Sequence, residues 1–210
     1  MEQFDKKNFH SLCDELAERD KELQWIISNY HYPPFWVRPN TFATLVLTIL
    51  EQQVSIASAF AAFKKLKEKV GAVSPHKLLC LSDEALRSCY FSRQKIVYVR
   101  ALATAIVNQQ INLKKFYNQP DDMVRTELKK LKGIGEWTAD IYLLHALRRP
   151  DIFPVGDLAL VNALKEVKQL APTIKREELM QLSLKWKPYR SIATMILWHF
   201  YIQKRGIKLI

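Results

Sequence analysis

The sequence is poor in the residues that mark turns between strands. Only five of its 210 residues are glycine, and it contains no Asn-Gly or Asp-Gly pair. Polar and apolar residues do not alternate over any sustained stretch, whereas apolar residues recur with the period of a helix. These features exclude a β-rich architecture and predict an all-α fold.

Cysteine is also scarce, with three residues far apart at Cys13, Cys80 and Cys89. Their number is odd and no CxxC pair occurs, which argues against a disulfide framework and against a zinc site. The five histidines show no HExxH spacing. We therefore expect reduced thiols in an intracellular protein, which in a bacterium would be cytoplasmic or associated with the nucleoid.

Long apolar runs are missing as well. The N-terminal stretch MEQFDKKNFH is charged, so we expect no signal peptide. The most apolar stretch, TFATLVLTIL at Thr41–Leu50, is far shorter than the ~20 residues that cross a bilayer. It predicts a buried helix, and no membrane partner is expected.

Charge of one sign is in excess. Lysine and arginine number 32 and aspartate and glutamate 21, which gives a formal net charge of +11. Basic side chains that meet phosphates release condensed counterions, so this excess favours a polyanionic partner. Charge alone does not say which polyanion it is.

Helical periodicity divides the chain into segments separated by proline, glycine and short polar stretches. No repeat or low-complexity tract occurs, and the length suits a single domain over residues 1–210. Helices are predicted at Asn8–Asn29, Thr41–Leu50, Ser55–Lys69, Asp83–Cys89, Arg93–Gln109, Asp121–Lys130, Glu136–Leu147, Leu158–Gln169, Arg176–Trp186 and Tyr189–Lys204.

The stretch LKKLKGIGEWTA interrupts a helical pattern with two glycines, Gly133 and Gly135. Glycine inside a helix costs about 1 kcal/mol relative to alanine, but here it permits a sharp turn and leaves no side chain to block a ligand. The helix that begins near Glu136 would direct its first N–H groups at that turn, which suits a phosphate. An ordinary turn between two helices is the structural alternative.

The same stretch resembles the helix-hairpin-helix motif of DNA repair proteins, in which hairpin amides bind a DNA phosphate. The resemblance implies two helical lobes that flank a DNA-binding cleft. The first lobe would span approximately residues 35–118, and the second would combine residues 1–34 with residues 119–210.

This resemblance assigns roles to the residues around the turn. Leu128 and Leu131 would anchor the first helix, and Lys132 would add positive charge beside the phosphate. A monovalent cation, Na⁺ or K⁺, is implied on backbone carbonyls of the hairpin. The hairpin residues are Gly133, Ile134 and Gly135, and the carbonyls are those of Lys129, Leu131 and Ile134.

Downstream, the stretch FPVGDLALVNAL places Asp157 between a glycine and an apolar helical run, which is the position of a helix N-cap. Capping alone explains an aspartate there. A helix-hairpin-helix followed by a Pro-x-Gly-Asp segment, however, resembles the DNA glycosylases of this family, in which the aspartate is essential. Cleavage of an N-glycosidic bond gives the sugar oxocarbenium character, and a nearby carboxylate stabilises that charge and orients water. The resemblance implies this catalytic role for Asp157.

The residues after the hairpin distinguish two branches of that family. In the branch typified by endonuclease III and the oxoguanine glycosylases, a lysine just after the hairpin, in the form G-x-K, forms a Schiff base with the sugar and permits strand cleavage. Here the stretch reads Gly135-Glu136-Trp137, so lyase activity is not expected. No cysteine follows Cys89, which excludes the iron–sulfur cluster of endonuclease III. We therefore expect an enzyme that needs no cofactor.

Two further stretches resemble the alkylation-repair branch, 3-methyladenine DNA glycosylase II. The stretch LKWKPYRSIATMILWHFY is similar to a W-K-P-W/Y-R-S segment and the helix after it, and FATLVLTILEQQVSIASA is similar to a core helix with its Gln-Gln-x-Ser turn. A methylated purine is cationic, so it leaves readily and is attracted by tryptophan faces. Trp137 and Trp198 are predicted to receive the base, although either could be core packing.

A base reaches such a pocket only after it is flipped out of the duplex, at a cost of about a few kcal/mol. The resemblance places a glutamine and the turn FSRQK where side chains fill the gap left in the stack. Arg190 would either contact a phosphate or tie the C-terminal helix to the pocket. The further DNA-binding residues are therefore Gln53, Ser92, Arg93 and Arg190.

These features predict a monomeric, monofunctional DNA N-glycosylase that acts on damaged double-stranded DNA in base excision repair. It would flip out alkylated bases of the 3-methyladenine and 7-methylguanine type and release them by Asp-assisted hydrolysis. One alternative is a glycosylase for another purine lesion, which would need a hydrogen-bond donor or acid in its pocket. The other is a non-catalytic helix-hairpin-helix module that binds DNA and does not need Asp157.

Overall fold

The computed structural model of the protein describes residues 3–208. This part of the chain forms α-helices and two 3₁₀ helices and contains no strand, so the all-α prediction is confirmed. The 3₁₀ helices span Lys115–Asn118 and Leu184–Trp186. The α-helices are α1 (Phe9–Arg19), α2 (Lys21–Tyr30), α3 (Phe42–Glu51), α4 (Ile56–Val70), α5 (Pro75–Leu79), α6 (Asp83–Arg87), α7 (Arg93–Val107), α8 (Asp121–Lys129), α9 (Glu136–His145), α10 (Leu158–Val167), α11 (Arg176–Ser183) and α12 (Arg190–Lys204).

Two details of the helix prediction are wrong. The single helix predicted at Asn8–Asn29 is two helices, because Asp20 adopts an extended conformation (φ −143°, ψ 106°) and caps α2. Helix α5 was not predicted, since it is short and begins in a stretch rich in turn residues. Ser74 caps it by accepting from the Lys77 N–H, and Pro75 occupies the first position, where a missing N–H is harmless.

The described residues form two compact units. The hairpin unit comprises Arg38–Leu147, and the terminal unit comprises residues 3–37 and 148–208. The two lobes expected from the sequence differ from these units, because the expected second lobe includes residues 119–147. That division into lobes stays a prediction.

Helix α3 is the buried helix of the hairpin unit. Eight of its ten residues are buried, and it packs against α4, α7 and α9. A helix that is apolar on all sides is stable in water only when neighbours cover it, so the buried helix predicted at Thr41–Leu50 is confirmed. Among residues 3–208, no helix combines the length and apolar character needed to cross a bilayer.

Helix α12 has the same place in the terminal unit. Every residue from Ser191 to Phe200 is buried, and the helix packs against α1, α2 and α10. Its first turn is tied to the segment before α10, where Arg190 Nε donates to Asp151 Oδ1 at 2.6 Å and Ser191 Oγ donates to the Arg149 carbonyl at 2.6 Å. These bonds fix the rotation of α12 and therefore the direction of its side chains.

Asp20 anchors a buried polar cluster in the terminal unit. Asp20 is only 2% exposed. Its carboxylate accepts hydrogen bonds from Lys168 Nζ at 2.8 Å and from Trp186 Nε1 at 2.8 Å. Lys185 Nζ lies 2.5 Å from its Oδ2. Burial alone would raise the pKa of Asp20, but the bonds from these three side chains outweigh it and hold that pKa below its usual value.

We expect Asp20→Asn to lower the free energy of unfolding at pH 7 by about 2 to 3 kcal/mol, because Lys185 and Lys168 lose the carboxylate that they share, and Lys168 keeps only its ion pair with Glu22. The asparagine amide still caps α2. Because the pKa of Asp20 is lower in the folded state, its ionised carboxylate contributes its full stabilisation above the unfolded pKa of about 3.9. This contribution is lost as pH falls from that value towards the folded-state pKa. Urea unfolding at several pH values measures this. The difference between wild type and variant should shrink below pH ~4, and a difference of constant size would contradict the assignment.

Candidate active site

Asp157 begins helix α10 and is its N-cap. The backbone turns just before it, where the Asp157 N–H donates to the Pro154 carbonyl at 2.7 Å. The Asp157 Oδ1 accepts from the Leu160 N–H at 2.8 Å, which is the capping bond expected from the sequence. The carboxylate is half-buried, and it lies at the positive end of the α10 dipole, which favours a negative charge.

Trp198 of α12 holds the same carboxylate oxygen. Its indole Nε1 donates to Asp157 Oδ1 at 2.9 Å, and Trp198 is only 8% exposed. Two N–H donors from different helices therefore converge on one oxygen and fix the orientation of the carboxylate. The arrangement is suited to stabilising a positive charge that develops close to Asp157, because such preorganised groups need no rearrangement during the reaction.

The hairpin lies between α8 and α9 in the other unit. Ile134 is buried, with 5% exposure, and its N–H donates to the Leu131 carbonyl at 3.1 Å. Leu128, the last apolar residue of α8, is fully buried. The Ile134 and Leu128 side chains thus anchor the turn from inside, while Gly135 is exposed and caps α9 without a side chain.

The two hairpin glycines serve different purposes. Gly133 has a φ of +89°, and a Cβ atom there would lie 2.1 Å from Tyr98 Cγ. Both the conformation and the space therefore require glycine at position 133. A Cβ atom at Gly135 would meet nothing within 4 Å, so only a ligand that approaches this point would need glycine there.

The lysines around the hairpin are partly neutralised. Lys129 forms an ion pair with Glu136, and Lys130 Nζ lies 2.6 Å from Glu127 Oε1. Lys132 is exposed. The net positive charge beside the turn is therefore smaller than the three lysines alone would give. Lys132 is the best placed of them to meet a phosphate.

The cation predicted on the hairpin would be held by uncharged carbonyl oxygens, which suit a hard monovalent ion. The Leu131 carbonyl already accepts a hydrogen bond from Ile134 at 3.1 Å, but a carbonyl has a second lone pair that can meet a cation. The carbonyls of Lys129 and Ile134 flank it along the turn. Within residues 3–208, no group of three histidine, cysteine, aspartate or glutamate side chains could hold a metal ion.

The predicted base-pocket residues are divided between the two units. Asp157 and Trp198 are in direct contact in the terminal unit. Trp137 is the second residue of α9 in the hairpin unit and is half-buried. Its contact with a flipped base stays a prediction.

The other predicted DNA-binding residues lie at element ends. Gln53 follows α3, is exposed and has a φ of +56°. Ser92 caps α7 by accepting from the Lys95 N–H at 3.2 Å, and Arg93 is the exposed first residue of that helix. Arg190 pairs with Asp151, its Nη2 donating to Asp151 Oδ2 at 2.9 Å, which favours a role in fixing α12. Contact of these residues with DNA stays a prediction.

Gln52 is a residue whose importance the sequence did not reveal. Its side-chain Nε2 donates to the Gly133 carbonyl at 2.8 Å and to Thr138 Oγ1 at 2.9 Å. The sequence shows the Gln52-Gln53 pair only as the turn after α3. No local pattern indicates that the first glutamine faces a hairpin that lies about eighty residues further along the chain.

Comparisons with known proteins agree with this architecture. The sequence-family model of the HhH-GPD superfamily of base excision DNA repair proteins matches residues 46–189 of this chain. The YfjP protein of Bacillus subtilis, provisionally named a DNA-3-methyladenine glycosylase, is 27% identical over an alignment that covers 84% of this chain. The chain spans 64% of the length of that relative, which is less than two thirds.

Solved structures share the fold over nearly the whole chain. A DNA-3-methyladenine glycosidase from Bacillus halodurans matches with a TM-score of 0.75 and 27% identity, and covers 98% of this chain and 95% of its own. The 3-methyladenine DNA glycosylase of Schizosaccharomyces pombe, solved in complex with abasic DNA, matches with a TM-score of 0.82 and 22% identity. That match covers 90% of this chain and 95% of the other.

Proposed function

The chain belongs to the HhH-GPD superfamily of base excision DNA repair proteins, and on that premise we propose that it is a DNA N-glycosylase that releases alkylated purines. The observation that carries the proposal is the Asp157 carboxylate, held at the start of α10 by the Leu160 N–H and the Trp198 indole. A simple helix cap needs only the first of these bonds. The second one aims the carboxylate and points to chemistry.

The reaction is hydrolysis of the bond between the base and the sugar. A purine methylated at N3 or N7 carries a positive charge, so it departs without a strong acid in the pocket. The sugar becomes oxocarbenium-like as the bond lengthens, and the Asp157 carboxylate stabilises that charge and orients the water that attacks C1′. The N-glycosidic bond breaks with its electron pair going to the base, which leaves as a neutral molecule. The water oxygen forms a bond to C1′ and gives up a proton to Asp157, so the products are the free base and an abasic site.

Recognition of the base would rest on aromatic faces. The ring of a cationic purine is attracted to the electron-rich face of tryptophan, and Trp137 and Trp198 are the candidates. The hydrogen bond from Trp198 to Asp157 fixes the indole ring as well as the carboxylate. A single residue would thus align the base and the group that acts on its sugar.

Binding to double-stranded DNA would precede base flipping. The amides of the hairpin Gly133–Gly135, with Lys132 beside them, would hold a phosphate, and a monovalent cation on the carbonyls of Lys129, Leu131 and Ile134 would add a positive charge there. Gln53, with Ser92 and Arg93, would fill the gap that the flipped base leaves.

We also infer that the enzyme is monofunctional. Trp137 stands where a lyase of this family would have its lysine, and an indole has no amine with which to form a Schiff base. Without a Schiff base the enzyme would not cleave the strand, so the product would stay uncut at the abasic site. Hydrolysis at Asp157 would need no cofactor. A monomer inside the cell suffices for this activity.

The direct test is release of 3-methyladenine and 7-methylguanine from methylated duplex DNA, followed by analysis of the strand. The proposal expects free bases and an abasic strand that is cut only after mild alkali. Release of bases with a strand already cut would contradict monofunctional action. Binding to duplex DNA without release of any purine would support the non-catalytic module instead.

The role of Trp198 in aiming Asp157 can be tested with Trp198→Phe. Phenylalanine keeps an aromatic face for the base but cannot donate to Asp157 Oδ1. A lost hydrogen bond to a charged group corresponds to about a tenfold fall in the rate of base release. The rate at saturating enzyme measures it. If Trp198→Phe reacted at the wild-type rate, the indole N–H would have no part in the reaction.

A matched control lies in the same unit. Trp186 Nε1 donates to Asp20 Oδ2 at 2.8 Å. Trp186→Phe therefore also removes a hydrogen bond from an indole to an aspartate. We expect this control to lower the melting temperature and to release bases at the wild-type rate. The pair separates a loss of positioning at Asp157 from a general loss of stability.

A further inference from the structure

The side chain of Gln52 links the end of α3 to both sides of the hairpin. Its Nε2 donates to the Gly133 carbonyl at 2.8 Å and to Thr138 Oγ1 at 2.9 Å. Gly133 precedes α9 and Thr138 lies in its first turn, so the two acceptors flank the N-terminus of that helix. An amide NH₂ has two donor hydrogens and can satisfy both acceptors at once.

Helix α7 lies against the same hairpin. The Tyr98 ring occupies the space next to Gly133, where a Cβ atom would be 2.1 Å from Tyr98 Cγ. The Tyr98 hydroxyl accepts a hydrogen bond from Gln94 in the first turn of α7. The contact therefore connects the hairpin to the part of α7 that carries Ser92 and Arg93.

A third bond closes the set. Lys95, also in the first turn of α7, donates its Nζ to the Leu50 carbonyl at 2.6 Å. Leu50 belongs to the last turn of α3, where carbonyls lack intrahelical partners and the helix dipole favours a cation. The end of α3, the start of α7 and the hairpin are thus joined pairwise, all within the hairpin unit.

Each of these three places carries residues predicted to touch DNA. Gln53 is the second residue after α3, Ser92 caps α7, Arg93 is its first residue, and Gly133–Gly135 form the hairpin. Contacts to phosphates fix the register of a protein on its duplex, and they do so without a further loss of entropy only when the contacting groups are already held in place. A glutamine that bonds to the hairpin backbone meets this requirement.

We propose that Gln52 is a positioning residue for DNA binding, which holds the hairpin amides in the conformation that receives a phosphate and joins the three turns into one platform. The proposal rests on the proposed function and deepens it. Gln52 itself need not touch DNA or the reacting base. It acts through the carbonyl of Gly133 and the hydroxyl of Thr138.

The test is Gln52→Met, which keeps the length of the side chain and removes its donors. Affinity for undamaged duplex DNA is measured over a range of salt concentrations, and base release is measured at saturating enzyme on methylated DNA. We expect the Kd to rise about tenfold and the salt slope to fall by about one phosphate contact. The rate at saturation should stay within about twofold, because Asp157 is untouched.

The matched control is Asn40→Leu in the same unit. Asn40 Nδ2 donates to the Leu113 carbonyl at 2.8 Å, and its Oδ1 accepts from the Tyr142 hydroxyl at 2.5 Å. The control thus also removes two hydrogen bonds of an uncharged amide, but none that reach the three turns. It should lower the melting temperature and leave the Kd and the salt slope unchanged. If the role of Gln52 were purely structural, Gln52→Met would behave in the same way and would not weaken DNA binding.

The outcomes are separable. A Gln52→Met protein with wild-type Kd and salt slope overturns the inference, and so does a fall in rate without a change in affinity, which would place Gln52 in catalysis. If this variant does not fold, Thr138→Val removes one of the two bonds and should raise the Kd about threefold; wild-type affinity there overturns the inference as well. A wild type that binds duplex DNA but releases no methylated purine refutes the proposed activity alone, whereas one that does not bind duplex DNA refutes both.

Discussion

Asp157→Asn is expected to reduce the rate of base release by about a thousandfold or more, because a single preorganised electrostatic contact is worth about 10²–10³ in rate and here a full charge is lost. Asparagine has nearly the same shape. Its side-chain oxygen can still accept from the Leu160 N–H and from the Trp198 indole, which now bond to Asp157 at 2.8 and 2.9 Å. Asparagine is also as good an N-cap as aspartate. The melting temperature and the affinity for duplex DNA should therefore stay at wild-type values.

The comparison with Asp157→Ala shows why asparagine is the better substitution. Alanine removes the charge and also the cap of α10, at a cost of about 1 kcal/mol. Both variants should be inactive, but only the alanine variant should unfold at a lower temperature. Measured rates of release of methylated purines decide the matter. An asparagine variant with substantial activity would show that Asp157 only caps α10.

The sequence was sufficient to locate Asp157 because its two roles share one local pattern. A carboxylate after a turn and before an apolar helical run is a cap on any physical reading, and the Pro-x-Gly-Asp resemblance adds the catalytic role at the same position. The structure bears out the cap directly, through the bond from Leu160 at 2.8 Å. The buried helix at Thr41–Leu50 was equally accessible, since its ten residues are all apolar or threonine and give the helix no charged face.

Contacts between distant segments could not be read in this way. Trp198 was expected to stack on a base, but its hydrogen bond to Asp157 joins residues about forty positions apart. Gln52 reaches a carbonyl about eighty positions away. Neither bond leaves a periodic trace in the sequence, because a donor at the right distance depends on how whole helices pack and not on local spacing.

The break at Asp20 has a similar cause. The predicted helix Asn8–Asn29 has continuous helical periodicity, and local propensity gives no reason to interrupt it. In the structure, two lysines and a tryptophan from the C-terminal half of the chain converge on Asp20. This cluster favours the extended conformation in which the carboxylate is buried among its partners, so tertiary contacts override the local preference.

Gly133→Ala is expected to have the second large effect, a loss of duplex DNA affinity of about thirtyfold or more. Alanine at a φ of +89° is strained by about 1–2 kcal/mol, and its Cβ atom would lie 2.1 Å from Tyr98 Cγ. Either the ring or the hairpin must move, and a shifted hairpin no longer presents its amides to a phosphate. Because phosphate contacts carry no sequence information, duplexes of different sequence should be affected equally.

Two other glycines separate the hairpin's role in binding from the strain itself. Gly71, which ends α4, has a φ of +68°, and a Cβ atom there would have Lys77 Nζ, at 3.9 Å, as its nearest neighbour. Gly71→Ala should therefore lower stability through backbone strain while leaving DNA affinity unchanged. Gly135→Ala meets no atom within 4 Å, so its free energy of unfolding should change by less than about 0.5 kcal/mol. If Gly133→Ala bound duplex DNA as tightly as Gly71→Ala does, the hairpin would have no part in holding a phosphate. A Gly135→Ala protein that is fully stable yet binds more weakly would instead place the phosphate against the start of α9, since only a bound ligand could meet that methyl group.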